Sequence, residues 1–124
     1  MISIGPLRGL ALALASASVL ASTHDARPAK TPVARGAAVF SKYCSLCHGA
    51  SGVGDGRAAS LQKVPPANLT VSTRPRDYKI QIVRDGGAAM GRSSSMPAWR
   101  EQLTAAEIDD VVAYVQTLST GTRR

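Results

Sequence analysis

Both cysteines of the chain fall in one five-residue stretch, Cys44-Ser45-Leu46-Cys47-His48, and this limits what the rest can fold around. Residues three apart in a helix lie on one face, about a turn from each other. The two thiols are therefore placed to act on one object, and a histidine follows the second directly. Several chemistries use such a pair. A thioredoxin-type dithiol needs a βαβ context, and none surrounds the motif. Zinc takes four ligands, and the only other Cys or His is His24, near the expected mature N-terminus. A disulfide between residues three apart closes a tiny loop and adds little stability.

C-x-x-C-H is the attachment signature of c-type haem. On this reading Cys44 and Cys47 add to the two haem vinyl groups as thioethers, and His48 is the proximal iron ligand. One motif implies one covalently bound haem.

The N-terminal stretch reads as a targeting segment. Arg8 is its one charged side chain, an apolar run begins at Gly9, and Val19-Leu20-Ala21 offers residues suited to cleavage. The run is too short for a stable membrane span. Residues 1–21 are expected to be a signal peptide cut after Ala21, with Ala17 as the other site and an uncleaved anchor as the alternative. No cysteine lies near the cut to carry a lipid. Residues 22–30 form a polar leader, and 31–121 a single small domain. Removing the segment leaves 14 basic against 8 acidic side chains, a balance of +6. Such a surface steers docking onto an acidic partner; a merely solvated arginine-rich surface is the other reading. No basic cluster interleaved with aromatics points to nucleic acid.

The mature chain has only Phe40, Tyr43, Tyr78, Trp99 and Tyr114 as aromatics. Few aromatics suit a domain whose centre holds a large flat cofactor, with covalent attachment as the staple. Thr31-Pro32 reads as a helix start, and Gly36, Val39, Phe40 and Tyr43 share one face of a helix over 32–43. The glycine-rich loop 49–56 lacks a phosphate-cradle pattern; its glycines are expected to let backbone pass near the cofactor edge. A helical turn is expected over 58–63, ended by Pro65-Pro66 with an extended path to Leu69. A helix over 76–84 is stopped by Gly86-Gly87, followed by a loop of small residues to Ser95. The last helix has the strongest signals. Thr104 and Glu107 form a capping box, Leu103 and Ile108 a hydrophobic staple, and Ile108, Val111, Val112, Val115 and Leu118 an apolar stripe ending near Gly121. No strand is expected.

A neutral thioether suits the second axial position of an electron carrier, because this soft donor stabilises ferrous iron and raises the potential. Met96 precedes proline, which restricts its backbone, and ends a loop able to lay it over the cofactor. Met90, between Ala89 and Gly91, is the fallback. Either methionine can also be ordinary packing. An open or histidine-ligated iron is the remaining alternative.

Gly36-x-x-x-Phe40, Cys44-x-x-Cys47-His48-Gly49, Gly52-Val53-Gly54-Asp55-Gly56, Met96-Pro97-Ala98-Trp99 and the 103–118 helix together resemble class I cytochrome c. They are most similar to the small bacterial domains related to haem subunits of cbb3-type oxidases. The resemblance covers nearly all of the mature chain. It implies an all-α cytochrome c fold, with three to five helices round one haem and the first and last packed crosswise, Gly36 and Phe40 meeting the last helix near Tyr114. It implies that a proline carbonyl, of Pro65 or Pro66, accepts the His48 Nδ1–H and that Leu69 and Trp99 help line the haem pocket. It also implies haem attachment outside the cytoplasm, hence a periplasmic location.

The expected function is single-electron transfer between redox proteins, with no catalysis on a small-molecule substrate. The alternatives are a haem subunit of a larger periplasmic or membrane dehydrogenase or oxidase, a haem sensor with an open iron, and a haem-free thiol oxidoreductase. Whether Arg74, Arg76, Arg92 and Arg100 share one docking surface depends on tertiary structure.

Overall fold

The Thr31 hydroxyl accepts a hydrogen bond from the Ala34 N–H (3.2 Å), and Pro32 follows as the first helical residue. Helix α1 accordingly spans Pro32–Tyr43. A computed structural model describes residue 1 and residues 30–119. The expected signal peptide, the leader and the Gly121 stop lie outside the described residues, apart from Met1 and Lys30. After α1 come the short helix α2 (Ser45–His48), 3-10 turns at Ala59–Leu61 and Leu69–Val71, helix α3 (Arg76–Ala89) and helix α4 (Ala105–Leu118). The described residues contain no strand, and no helix among them is long and apolar enough to cross a membrane.

Helix α4 begins as its local chemistry dictates. Thr104 N–H donates to Glu107 Oε2 (2.9 Å), and Glu107 N–H donates to Thr104 Oγ1 (3.2 Å). Leu103 and Ile108 on either side of this box are both buried, as a staple requires. The Glu107 carboxyl is held below its ordinary value by hydrogen bonds from the Thr104 N–H and hydroxyl.

The largest interface between elements joins α1 to α4. Phe40, Val111, Val112 and Val115 form its buried centre, with Val39, Ile80, Val83, Tyr114 and Leu118 packed around them. The Phe40 and Tyr114 rings lie 5.2 Å apart and are tilted by 56°. Gly36 makes the close approach possible, because a Cβ there would run into the Asp110 carbonyl. Beside this contact Arg35 pairs with the buried Asp110 carboxylate through two hydrogen bonds of 2.6 and 2.8 Å. The expected meeting of Gly36, Phe40 and Tyr114 is present.

Two elements differ in extent from the sequence reading. The expected turn over 58–63 is a single 3-10 turn, Ala59–Leu61. Helix α3 runs past the expected stop to Ala89, but with a kink at Gly86 (φ 81°, ψ 168°). The glycine signal is local and correct about the break. The path beyond the kink is set by the returning chain. Trp99 N–H donates to Val83 O (3.0 Å), and Arg100 N–H donates to Arg84 O (3.3 Å). These donors occupy carbonyls that a continuing helix would need.

Candidate haem-binding site

The centre of the fold is a largely apolar cavity of about 800 Å³, within the range of small-molecule and cofactor sites. Core and cavity share residues: Phe40, Val111, Val112 and Val115 lie in both. A core poor in aromatics has this consequence, because the helices pack around a space they leave open.

The cysteine motif occupies one part of the cavity wall. Cys44 closes α1 and opens α2, and its carbonyl accepts from the N–H groups of Cys47 (3.2 Å) and His48 (2.9 Å). This single helical turn puts both thiols and the His48 imidazole on the cavity. Burial pushes the Cys44 thiol up to about 12, with Cys47 adding to the effect. A reactive redox dithiol needs the opposite, a depressed thiol.

His48 Nδ1 lies 3.1 Å from the Ala67 carbonyl. The expectation of a Pro65 or Pro66 carbonyl is corrected by this contact. The chain turns one residue later, where Asn68 accepts from the Thr70 N–H (2.9 Å) and opens the next 3-10 turn. The partner is thus a backbone atom that no side-chain signal marks. A carbonyl at Nδ1 fixes the tautomer and leaves Nε2 to coordinate a metal. Burial also lowers the His48 pKa, against the smaller opposing effect of Ala67, a shift in the direction of the neutral ring, the form that ligates.

Pro65, Pro66, Leu69, Trp99 and Met96 all line the same cavity as Cys44, Cys47 and His48. Met90 does not line it; it caps the end of α3. The glycine-rich loop behaves differently from expectation. Gly49, Gly52, Gly54 and Gly56 do not line the cavity. Gly56 instead packs on the backbone of the motif helix, donating to Cys47 O (3.0 Å), while Ala58 N–H donates to Leu46 O (2.9 Å). The loop braces the motif from behind.

Met96 is seated by the Gly86-Gly87 pair, which the sequence marks only as a helix stop. Gly87 N–H donates to Met96 O (2.9 Å). A Cβ at Gly86 would sit 2.8 Å from Ala98 N and 3.0 Å from Met96 O. Trp99 meets Tyr43 of α1 edge-on, with ring centroids 5.4 Å apart.

The charged residues on the cavity wall are Arg74, Lys79 and Arg92, with no carboxylate among them. The four arginines considered for a shared docking surface therefore divide. Arg74 and Arg92 face the cavity, Arg76 pairs with Asp109 (2.9 Å), and Arg100 pairs with Asp85 (3.0 Å). Haem fits this residue set: two thiols one turn apart, an imidazole oriented through Nδ1, an apolar cleft, and cations for its carboxylates.

The family described as cytochrome c oxidase, cbb3-type, subunit III matches residues 31–115. The chain belongs to this family of c-type cytochromes. Its members carry covalently bound haem c, and the chain is accordingly a haem c electron-transfer protein. One relative is the cbb3-type cytochrome c oxidase subunit FixP of Azorhizobium caulinodans, 32% identical over 110 residues, covering 85% of this chain and 34% of FixP. Cytochrome c6 of Bryopsis maxima is 34% identical over 80 residues, covering 64% of this chain and 84% of that protein. The chain thus spans about a third of the oxidase subunit's length. Among solved structures, a chain of the Kuenenia stuttgartiensis reducing HAO-like protein complex Kustc0457/Kustc0458 matches with a TM-score of 0.62 and 24% identity, covering 76% of this chain and 46% of that one. The KustC0563 c-type cytochrome matches with a TM-score of 0.54 and 19% identity, covering 68% and 98%. These two likenesses establish the all-helical cytochrome c fold.

Proposed function

We propose that the chain is a periplasmic monohaem carrier that passes single electrons between redox proteins, with His48 and Met96 as the two iron ligands. The observation that carries this reading is the shared cavity: Cys44, Cys47, His48 and Met96 all open onto it. When bound, haem supplies a one-electron couple. The chain's own residues do the rest. Cys44 and Cys47 anchor the group, and the Ala67 carbonyl orients His48. Met96 offers a soft neutral donor, which raises the potential. Arg74, Lys79 and Arg92 on the cavity wall would supply cations for the haem carboxylates. Phe40, Val111, Val112 and Val115 exclude water from the cavity. The relatives include cytochrome c6, and the reading is of a carrier, not an enzyme.

The basic balance of the mature chain favours acidic faces on its partners. A second reading, a haem subunit within a larger complex, is favoured by the relatives. FixP is named as an oxidase subunit, and the HAO-like chain comes from a complex.

Isolation of the exported protein from cells that attach haem tests the proposal. The expected result is haem that survives denaturing extraction, a reduced-minus-oxidised c-type spectrum, and a one-electron redox titration. Cysteines that remain open to alkylation in that material would overturn it. Size under gentle lysis separates the two readings, a lone monomer for the carrier and a stoichiometric complex for the subunit.

A further inference from the structure

Met96 belongs to a short segment that crosses the end of α3, and Arg100 at the end of that segment pairs with Asp85 of α3 (3.0 Å) and, more loosely, with its own neighbour Glu101 (3.6 Å). Asp85 immediately precedes the Gly86 kink. It accepts from two guanidinium groups. Arg84, its neighbour on α3, donates from Nη2 to Oδ2 (2.7 Å) and from Nε to both oxygens (3.0 and 3.2 Å). Arg100 donates from Nη1 to Oδ1 (3.0 Å). The Asp85 side chain is 23% exposed, against 50% and 56% for the two arginines. Its pair with Arg84 lies within one helix. Its pair with Arg100 joins the helix to the methionine segment.

The backbone takes the same path. Gly87 N–H bonds Met96 O, Trp99 N–H bonds Val83 O, and Arg100 N–H bonds Arg84 O at a long 3.3 Å. The bond nearest Arg100 is thus the weakest of the three by length, and the Asp85–Arg100 pair lies beside it. At the other edge, Trp99 rests against Tyr43.

We propose that Asp85 is a positioning residue for Met96: through Arg100 it latches the 96–100 segment onto α3 and so limits how often the methionine leaves the cavity. This rests on Met96 being an iron ligand. Asp85 does not line the cavity. It acts on the opening equilibrium of a segment, which in folded proteins is separate from global unfolding.

Arg84 supplies an internal control, since it pairs with the same carboxylate without belonging to the methionine segment. Imidazole binds the ferric haem protein only after Met96 has left, so its binding rate reads the opening. Asp85→Ala and Arg100→Ala should each speed imidazole binding by about two- to fivefold, the range expected of a solvent-accessible ion pair. The double variant should be no faster than either single one, because both remove the same contact. Arg100→Lys, which keeps a cation, should return most of the way to the parent rate. Arg84→Ala should leave the rate unchanged. Thermal unfolding of each haem-loaded variant checks that the fold is kept, and Asp85→Asn replaces Asp85→Ala if the latter does not fold. Equal acceleration by Arg84→Ala and Arg100→Ala, or none by either Asp85 or Arg100 variants, would overturn the latch. Imidazole binding no faster in Met96→Ala than in the parent would instead overturn methionine ligation, and the latch with it.

Discussion

The α1–α4 crossing and the Met96 segment bound the same cavity by different means. At the crossing, Phe40 is 2% exposed and Val111 and Val112 are 1% exposed, and Gly36 lets the two backbones touch. Side-chain burial holds that wall. Met96 is only partly buried, and its segment is held by backbone hydrogen bonds to a kinked helix end, with one ring contact and one ion pair beside them. The first wall is continuous with the core. On the proposed latch, the second would open while the core stays intact. With Met96 as the proposed sixth ligand, a redox protein would gain from this division: the motif side would stay fixed, and the ligand would be set by a local equilibrium.

The largest expected effect falls on the first wall. Phe40→Ala should cost about 3–5 kcal/mol, the range for deleting a buried phenylalanine, as read by denaturant unfolding of the haem-loaded protein. A loss below about 1 kcal/mol, well under that range, would mean that the haem, not the crossing, holds the helices. On the second wall, Gly86→Val should cost less, about 1–3 kcal/mol for a positive φ forced on a β-branched residue. It should also weaken methionine ligation, seen as loss of the thioether-to-iron charge-transfer band. Loss of stability with that band intact would erase the distinction between the walls.

Smaller effects sharpen the comparison at the start of α4. Thr104→Ala should cost about 1 kcal/mol through loss of the cap and leave the haem spectrum unchanged. Glu107→Gln adds a pH dependence. Because the Glu107 carboxyl is held below its ordinary 4.5 in the fold, its contribution is present above that pH and is lost as pH falls through the lower folded value. The melting temperatures of parent and Glu107→Gln should therefore differ at neutral pH and converge in acid. A difference that persists in acid would show that the side chain acts through packing, not charge.

The two walls are also unequally legible in the sequence. Thr31-Pro32 and the Thr104–Glu107 box mark helix starts within four residues, so the starts of α1 and α4 can be placed closely. The motif itself is local, and one turn of helix brings its three side chains to the cavity. The second wall depends on partners far apart in the chain. Gly86-Gly87 read as a stop because only the returning Met96–Arg100 backbone reveals them as a seat. The Ala67 carbonyl lies one residue past the expected prolines, and a backbone acceptor leaves no compositional trace. Arg74 and Arg92 could not be separated from Arg76 and Arg100 until Asp109 and Asp85 were placed beside the latter two.

Methionine ligation is the claim on which both the carrier reading and the contrast between walls depend. It is tested by the ferric spectrum of the haem-loaded protein and its Met96→Ala and Met90→Ala variants. The account predicts a thioether-to-iron charge-transfer band in the parent, its retention in Met90→Ala, and its loss in Met96→Ala with haem still covalently attached. A band that survives in Met96→Ala, or is absent from the parent, would contradict it.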